Sequence, residues 1–281
     1  MTLRMILLAS LTLTLPAYAA DNYPSRPLRL LVPYAPGGPV DIVGRLVGLK
    51  LGEKLGQQVI IDNRAGAGGN IALEIVAKAA PDGYTLLMGA NGPIAINPSL
   101  YKSMPVDTEK DFAPVSMVAS SAMVLVLHPS VTANTVKDLV QMAKNRPGQI
   151  NYASSGSGST AHLSSELFRS MAGVKLTHVP YKGAGPALTD LVGGQVQTMF
   201  TGISSTLPYV KGGKLKAIAV SSEKRLPILP DVPTVAEDLP GYEVLTWYGV
   251  FAPTGTPRNI IQSLNQAVAA AFATPDAQSR L

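Results

Sequence analysis

The sequence contains no cysteine among its 281 residues. This absence excludes disulfide bridges, thiolate nucleophiles and zinc sites with cysteine ligands. Charged residues are also scarce, at 15% of the chain, and the formal net charge of +5 is spread along the sequence. The densest basic group, from Lys211 to Lys216, is more typical of a solvated loop than of a nucleic-acid-binding surface. We therefore expect no nucleic-acid partner and only a weak preference for anionic ligands.

Long hydrophobic runs are missing as well. After residue 20 no apolar stretch reaches the length of about 20 residues that a membrane span requires. At the N-terminus, Arg4 precedes an apolar run from Met5 to Leu15, and Ala17-Tyr18-Ala19 follow it. A charge, a short apolar core and a small–x–small site are the three parts of a secretory signal peptide. We predict cleavage after Ala19 or Ala20 and export of a soluble protein; a buried N-terminal helix is the alternative.

Residues suited to metal or acid–base chemistry are few. No pair among His128, His162 and His178 has the i, i+4 spacing of a helical zinc site. The carboxylates are scattered and form no convincing acid–base pair, and the nucleophile elbow of hydrolases and the P-loop are both absent. We therefore expect no metal, no cofactor and no catalysis. An exported hydrolase or lyase that uses a cleft is the alternative function.

What the chain does have is a regular alternation of short apolar runs and longer amphipathic ones, which predicts an α/β fold with mostly parallel sheets. The predicted strands are Leu28–Val32, Val59–Asn63, Thr85–Ala90, Val115–Val118, Val124–Leu127, Asn151–Ala153, Lys175–Val179, Thr198–Thr201 and Leu215–Val220. The predicted helices are Val40–Lys54, Asn70–Ala79, Val136–Asn145, Ala161–Ala172, Ala184–Gly193 and Ile260–Ala273.

Two glycine-bearing loops each follow a predicted strand and precede a predicted helix. The first, "PYAPGGPVD", begins at Pro33, and the second, "SSGSGSTAH", runs from Ser154 to His162. Ligands of open α/β sheets bind beyond the carboxyl ends of the strands, so we predict two domains with a cleft between these loops. Small residues allow an anion to approach the N–H groups at a helix start.

Alternatives stay open for individual residues of these loops. The second loop is also compatible with a plain N-cap and a flexible lead-in. His162, in the first turn of its helix, is suited either to donating to a ligand or to a structural role. Tyr181 follows a third strand and is suited either to a pocket or to a partly buried rim.

Several longer stretches resemble one known family, the extracytoplasmic solute receptors of tripartite tricarboxylate transporters, or Bug receptors. The matching stretches are "YPSRPLRLLVPYAPGGPVDIVGRL", "VIIDNRAGAGGNIALEIVAKAAPDGYTLLMG", "INYASSGSGSTAHLSSELF", "HVPYKGAGPALTDLVGGQVQTMF" and "LPDVPTVAEDLPGYEVLTWYGVFAPTGTP". They cover nearly the whole mature chain in the expected order. The resemblance implies a two-lobed, type II-like periplasmic binding protein. Each lobe is then a mixed, mostly parallel sheet flanked by helices, and two hinge strands cross between the lobes.

The resemblance also implies domain boundaries and partners. We expect a signal peptide at 1–20, a first lobe at 21–122 plus 222–281, and a second lobe at 123–221, with crossings near Ser120–Val124 and Val220–Glu223. The implied function is a monomeric periplasmic receptor that delivers a small organic carboxylate to membrane permease subunits, without a cofactor. Family members usually continue beyond "TPDAQSRL", so we expect apolar surface in the first lobe if that extension is lacking.

Main-chain N–H groups and ordered waters are expected to hold the ligand carboxylate, because rigid donors lose little entropy on binding. Many family members have an aspartate at the position of Thr201, where it could meet a ligand ammonium. Its absence favours a plain carboxylate over an amino acid. The ligand-binding residues carried over by resemblance are Tyr34, Ala35, Pro36, Gly37, Gly38, Asp41 and Asn91 in the first lobe, and Ser155, Ser157, Ser159, Thr160, His162, Tyr181, Gly183 and Thr201 in the second.

Overall fold

The computed structural model of the protein describes residues 23–273. The predicted signal peptide lies outside the described residues. Within residues 23–273, no helix is both long enough and apolar enough to cross a membrane.

Strands and helices alternate along most of the chain. The strands are β1 (Leu28–Val32), β2 (Val59–Asn63), β3 (Thr85–Ala90), β4 (Phe112–Leu127), β5 (Asn151–Ser154), β6 (Thr177–Pro180), β7 (Thr198–Gly202), β8 (Lys216–Val220) and β9 (Leu245–Pro253). The helices are α1 (Pro39–Leu55), α2 (Asn70–Ala77), α3 (Asn97–Leu100), α4 (Val136–Asn145), α5 (Thr160–Ala172), α6 (Ala184–Val192), α7 (Ile203–Lys211) and α8 (Arg258–Phe272).

The two helices that follow the glycine-bearing loops have clear start and stop signals. Helix α1 begins with Pro39, which suits a first turn because its missing N–H has no partner there in any case. It ends at Gly56, whose left-handed backbone lets its N–H donate to the carbonyl of Gly52. Helix α5 begins at Thr160 and is capped by Ser159, whose hydroxyl oxygen accepts the N–H of His162. Both helices therefore begin one residue before their predicted starts.

The strands form one continuous sheet in two halves, in the order β2-β1-β3-β9-β4-β7-β5-β6, with β8 also paired to β4. In the first half β1 pairs in parallel with β2 and β3. In the second half β5 pairs in parallel with β6 and β7. The pairings of β4 and β9 are antiparallel, so each half is mixed, as predicted.

Strand β4 joins the halves. It pairs with β9 as far as Ala122 and with β7 and β8 from Met123 or Val124 onward. Beyond the crossing its side chains alternate between two cores, because successive residues of a strand point to opposite faces. Met123, Leu125 and Leu127 enter one core, while Val124 and Val126 enter the other. This double burial anchors β4 in the second lobe beyond the crossing, from Met123 to Leu127.

Three expectations about the elements need correction. The strands predicted at Val115–Val118 and Val124–Leu127 are parts of the single strand β4. Helix α7 and strand β9 were not predicted. Val235 and Tyr242, which the predicted boundaries assign to the first lobe, instead pack in the second-lobe core. This packing favours a return to the first lobe at β9 rather than at Val220–Glu223; the exact lobe boundaries stay a prediction.

Candidate functional site

A small cavity lies between the two halves of the sheet. It is enclosed by the end of β1, the start of α1, the start of α5, the end of β7 and the two hinge strands. None of its lining side chains carries a charge. The lining residues are Tyr34, Pro39, Val40, Ala90, Met123, Ser155, Ser159, Thr160, Ala161, Thr201, Gly202, Thr246 and Tyr248.

The polar groups of the cavity include hydroxyls with unused hydrogen-bonding capacity. Thr201 is 1% exposed, and its Oγ1 makes no hydrogen bond within the described part of the chain. Ser159 is also buried, and its Oγ accepts the N–H of His162 at 3.2 Å, which leaves its hydroxyl proton free to donate. A buried hydroxyl without a partner costs about 1–3 kcal/mol. Within the described residues, the Thr201 hydroxyl is therefore available to a hydrogen-bond partner in the cavity.

Two tyrosines in the wall remain protonated at neutral pH. Burial raises the pKa of Tyr248 to about 12. Burial, with smaller contributions from Tyr101 and Tyr248, also raises the pKa of Tyr34. A protonated phenol donates a hydrogen bond and adds no negative charge. Both side chains are thus compatible with an anion in the cavity.

The loop Tyr34–Gly38, here named the proline loop, is held in place by hydrogen bonds to the Asp41 side chain. The Asp41 carboxylate accepts the Gly37 N–H at 3.0 Å, the Arg45 Nε–H at 3.0 Å and the Asn63 amide at 2.9 Å. Burial alone would raise the pKa of Asp41, but these hydrogen bonds outweigh burial and hold it below its usual value. Asp41 is 3% exposed and is not among the lining residues, and its carboxylate orders the loop through these hydrogen bonds.

The lobes touch each other through the proline loop and the start of α6, so the structure is a closed form. The Ala35 N–H donates to the Lys182 carbonyl at 3.0 Å. The approach depends on small residues. A Cβ on Gly183 would lie 2.7 Å from the Ala35 nitrogen, and one on Gly185 would lie 2.0 Å from the Pro36 carbonyl oxygen.

The loop Ser154–Thr160, here named the serine loop, has two faces. Ser155, Ser159 and Thr160 line the cavity. On the other face, the Ser157 carbonyl accepts the Tyr101 hydroxyl of the first lobe at 3.3 Å. The same loop therefore forms part of the cavity wall and part of the contact between the lobes.

The structure brings five of the predicted site residues to the cavity: Tyr34, Ser155, Ser159, Thr160 and Thr201. The side chains of three others make hydrogen bonds to other parts of the protein. The Asn91 amide oxygen accepts the Trp247 N–H of β9, the Tyr181 hydroxyl donates to Asp190, and His162 Nδ1 accepts the Gly158 N–H. The remaining predicted residues are not among those that line the cavity: Ala35, Pro36, Gly37, Gly38, Asp41, Ser157 and Gly183. Direct ligand contacts by any of these residues stay a prediction.

Three of the eight lining residues that the sequence did not indicate lie on the hinge strands β4 and β9. Met123 lies on β4, and Thr246 and Tyr248 alternate on β9, a strand that was not predicted. Side chains of β9 alternate between more buried and less buried positions, but apolar residues occupy both sets of positions. The sequence of β9 therefore lacks the alternation of apolar and polar residues that predicts a strand. Among residues 23–273 no three His, Asp or Glu side chains are grouped so that they could hold a metal ion.

Comparison with known proteins identifies the family. Residues 43–281 match the family model described as tripartite tricarboxylate transporter family receptor. The chain belongs to this receptor family. The receptor is 40% identical over 252 residues to Protein BugT of Bordetella pertussis, covering 89% of this chain and 77% of that one.

Two solved structures resemble the receptor closely. Rpa4515 of R. palustris with adipate is 41% identical, with a TM-score of 0.90, covering 92% of this chain and 87% of that chain. MatC of Rhodopseudomonas palustris with bound malate is 37% identical, with a TM-score of 0.88, covering 92% and 88%. The two-lobed periplasmic binding protein fold and the predicted family are therefore confirmed.

Proposed function

We propose that this receptor binds a small organic carboxylate in the cavity between its lobes, in the periplasm, and delivers it to membrane components of a tripartite tricarboxylate transporter. The adipate and malate complexes of its relatives support the ligand class. We further propose that it acts as a monomer, which light scattering of the purified protein tests.

The unpartnered hydroxyl of Thr201 is the observation that carries this proposal. It lies in a cavity where helices α1 and α5 both begin, at Pro39 and Thr160. Helix N-termini carry partial positive charge, and their N–H groups favour anions. Neutral donors of this kind hold a carboxylate without a lysine or arginine. The lining also contains no carboxylate that would pair with a ligand ammonium, which favours a plain organic acid over an amino acid.

Two threonines of β7 provide a matched experiment. Thr198 and Thr201 are both buried with an unpartnered hydroxyl, but only Thr201 lines the cavity. We expect Thr201→Val to weaken binding of malate or adipate about 10- to 150-fold, the equivalent of one hydrogen bond to a charged group. Thr198→Val is expected to leave the affinity unchanged. Neither variant lowers the thermal stability of the free protein, because each removes an unsatisfied buried hydroxyl.

Calorimetric titration of mono-, di- and tricarboxylates, with aspartate and glutamate as amino-acid counterparts, measures these affinities. A receptor returns its ligand chemically unchanged, so mass analysis of the released compound also tests the enzyme alternative. Equal losses in the two variants, or binding of no carboxylate by the parent protein, would contradict the proposal.

A further inference from the structure

Three aromatic rings are stacked behind the serine loop. The rings of Tyr152 and His178 lie 4.8 Å apart at an interplanar angle of 13°, and those of His178 and His162 lie 4.3 Å apart at 20°. They come from three neighbouring elements, β5, β6 and α5. None of the three residues lines the cavity. The function proposed above gives this stack no part in contacting the ligand.

Both imidazoles are hydrogen-bonded to the serine loop. His162 Nδ1 accepts the Gly158 N–H at 3.3 Å, which requires that Nδ1 carry no proton. His178 Nε2 lies 2.6 Å from the Ser154 hydroxyl oxygen, which itself accepts the Gly156 N–H at 3.1 Å. The Ser154 hydroxyl oxygen also lies 3.2 Å from the Gly156 carbonyl oxygen, so its proton goes either to that carbonyl or to His178. His178 is thus hydrogen-bonded to one end of the loop as donor or acceptor, whereas His162 holds the other end through an unprotonated Nδ1.

The tied residues are also those that meet the first lobe. A Cβ on Gly158 would lie 2.2 Å from Asn97 Oδ1, so the loop backbone runs directly against this first-lobe side chain. Ser157, between the two tied positions, accepts the Tyr101 hydroxyl. A displacement of Gly158 therefore disturbs the cavity wall and the contact between the lobes together.

We propose that His162 and His178 are positioning residues for the serine loop, and that ligand binding requires the His162 imidazole to be neutral. The inference rests on the proposed carboxylate-binding function. A proton on His162 Nδ1 would face the Gly158 N–H, donor against donor. It would also place a positive charge against the neighbouring ring of His178.

The charges around the stack do not offset this cost. On α5, Glu166 Oε1 lies 3.9 Å from His162 Nε2, but Glu166 also accepts hydrogen bonds from the Arg169 guanidinium and the Tyr152 hydroxyl. Burial lowers the pKa of His162 despite Glu166. Burial, followed by the nearby His162, lowers the pKa of His178 to about 4. Both lowered pKa values favour neutral rings at pH 7.

The test is the pH dependence of malate and adipate affinity between pH 7.5 and 4.5 in the parent protein, in His162→Gln and in His128→Gln. Glutamine offers an amide oxygen to the Gly158 N–H but cannot be protonated. His128 is the matched control, because its ring contacts Ser130 and lies outside the stack. Protonation of the ligand's own carboxylates affects the affinity of all three proteins equally, so it does not change the comparison between them.

We expect the affinity of the parent protein and of His128→Gln to fall at least about fivefold further than that of His162→Gln over this range, a difference of about 1 kcal/mol. Parallel profiles for His162→Gln and the parent protein would overturn the proposal. Nitrogen chemical shifts of the histidine rings in the free parent protein provide a second test that needs no ligand. His162 protonated at Nδ1 at pH 7.5 would contradict it, and this result stays informative if no carboxylate binds and the proposed function fails.

Discussion

The contact between Gly185 and Pro36 makes a sharp prediction about closure. A Cβ on Gly185 would lie 2.0 Å from the Pro36 carbonyl oxygen of the other lobe, whereas ordinary contacts begin at 3.4 Å. Gly185 lies within helix α6, and its backbone is not left-handed, so alanine suits the residue in an isolated second lobe. Overpacking of this kind costs about 1–3 kcal/mol. Because the cost falls only on the closed form, Gly185→Ala should weaken ligand binding about 5- to 150-fold.

The free protein provides the internal check. Alanine is favoured over glycine in a helix by up to about 1 kcal/mol, so the free energy of unfolding without ligand should not fall. Gly193→Ala is the control, because its Cβ would meet only the Thr189 and Asp190 carbonyls of its own helix, at 3.4 and 3.7 Å. Calorimetric titration with malate and adipate, together with urea unfolding, measures both quantities. Unchanged affinity in Gly185→Ala would refute the argument that ligand binding requires the observed closure.

Three further results are expected. Asp41→Ala should lower both ligand affinity and the free energy of unfolding, the latter by about 1–3 kcal/mol, because the Gly37 N–H and its other donors lose their acceptor; an unaltered urea midpoint would contradict this. Gly38→Val should weaken binding without unfolding the protein, since its first added carbon would already lie 3.1 Å from Ala184 Cβ across the cleft; calorimetry would show an equal affinity if this contact is unimportant. The pKa of His178 is lowered from 6.5 to about 4, so the unfolded chain binds more protons in this interval and stability falls as the pH drops from about 6.5 to 4. Urea unfolding at pH 7 and pH 5 should show this loss of stability in the parent protein and a smaller loss in His178→Phe. An equal loss of unfolding free energy in the two proteins would argue against it.

The sequence predicts the layered α/β fold and the place of both loops because these depend on local signals. Proline and glycine at 33–39 and the serine cluster at 154–160 mark the two helix starts directly. The direction of a side chain depends on tertiary structure, so the sequence alone does not show where the Asp41 carboxylate points. Its carboxylate turns back to the Gly37 N–H, and no pattern in the sequence distinguishes that orientation from one that faces a ligand.

The part of the cavity wall that the hinge strands form could not be predicted from local sequence signals. Thr246 and Tyr248 reach the cavity because β9 pairs with β3 and β4, which are more than 100 residues earlier in the chain. The irregular segment before β9 gives no signal for such a long-range pairing. The stack of Tyr152, His178 and His162 is equally non-local, because the three rings meet only when β5, β6 and α5 assemble.

Strand β4 has a mechanical consequence. Its 16 residues run without a break through both lobes, with β9 beside it in the first and β7 and β8 beside it in the second. Sliding one lobe past the other would break the ladder of main-chain hydrogen bonds, whereas bending the ribbon near Ala122 would leave it intact. Opening by such bending would move the ends of the lobes that lie farthest from Ala122 the most.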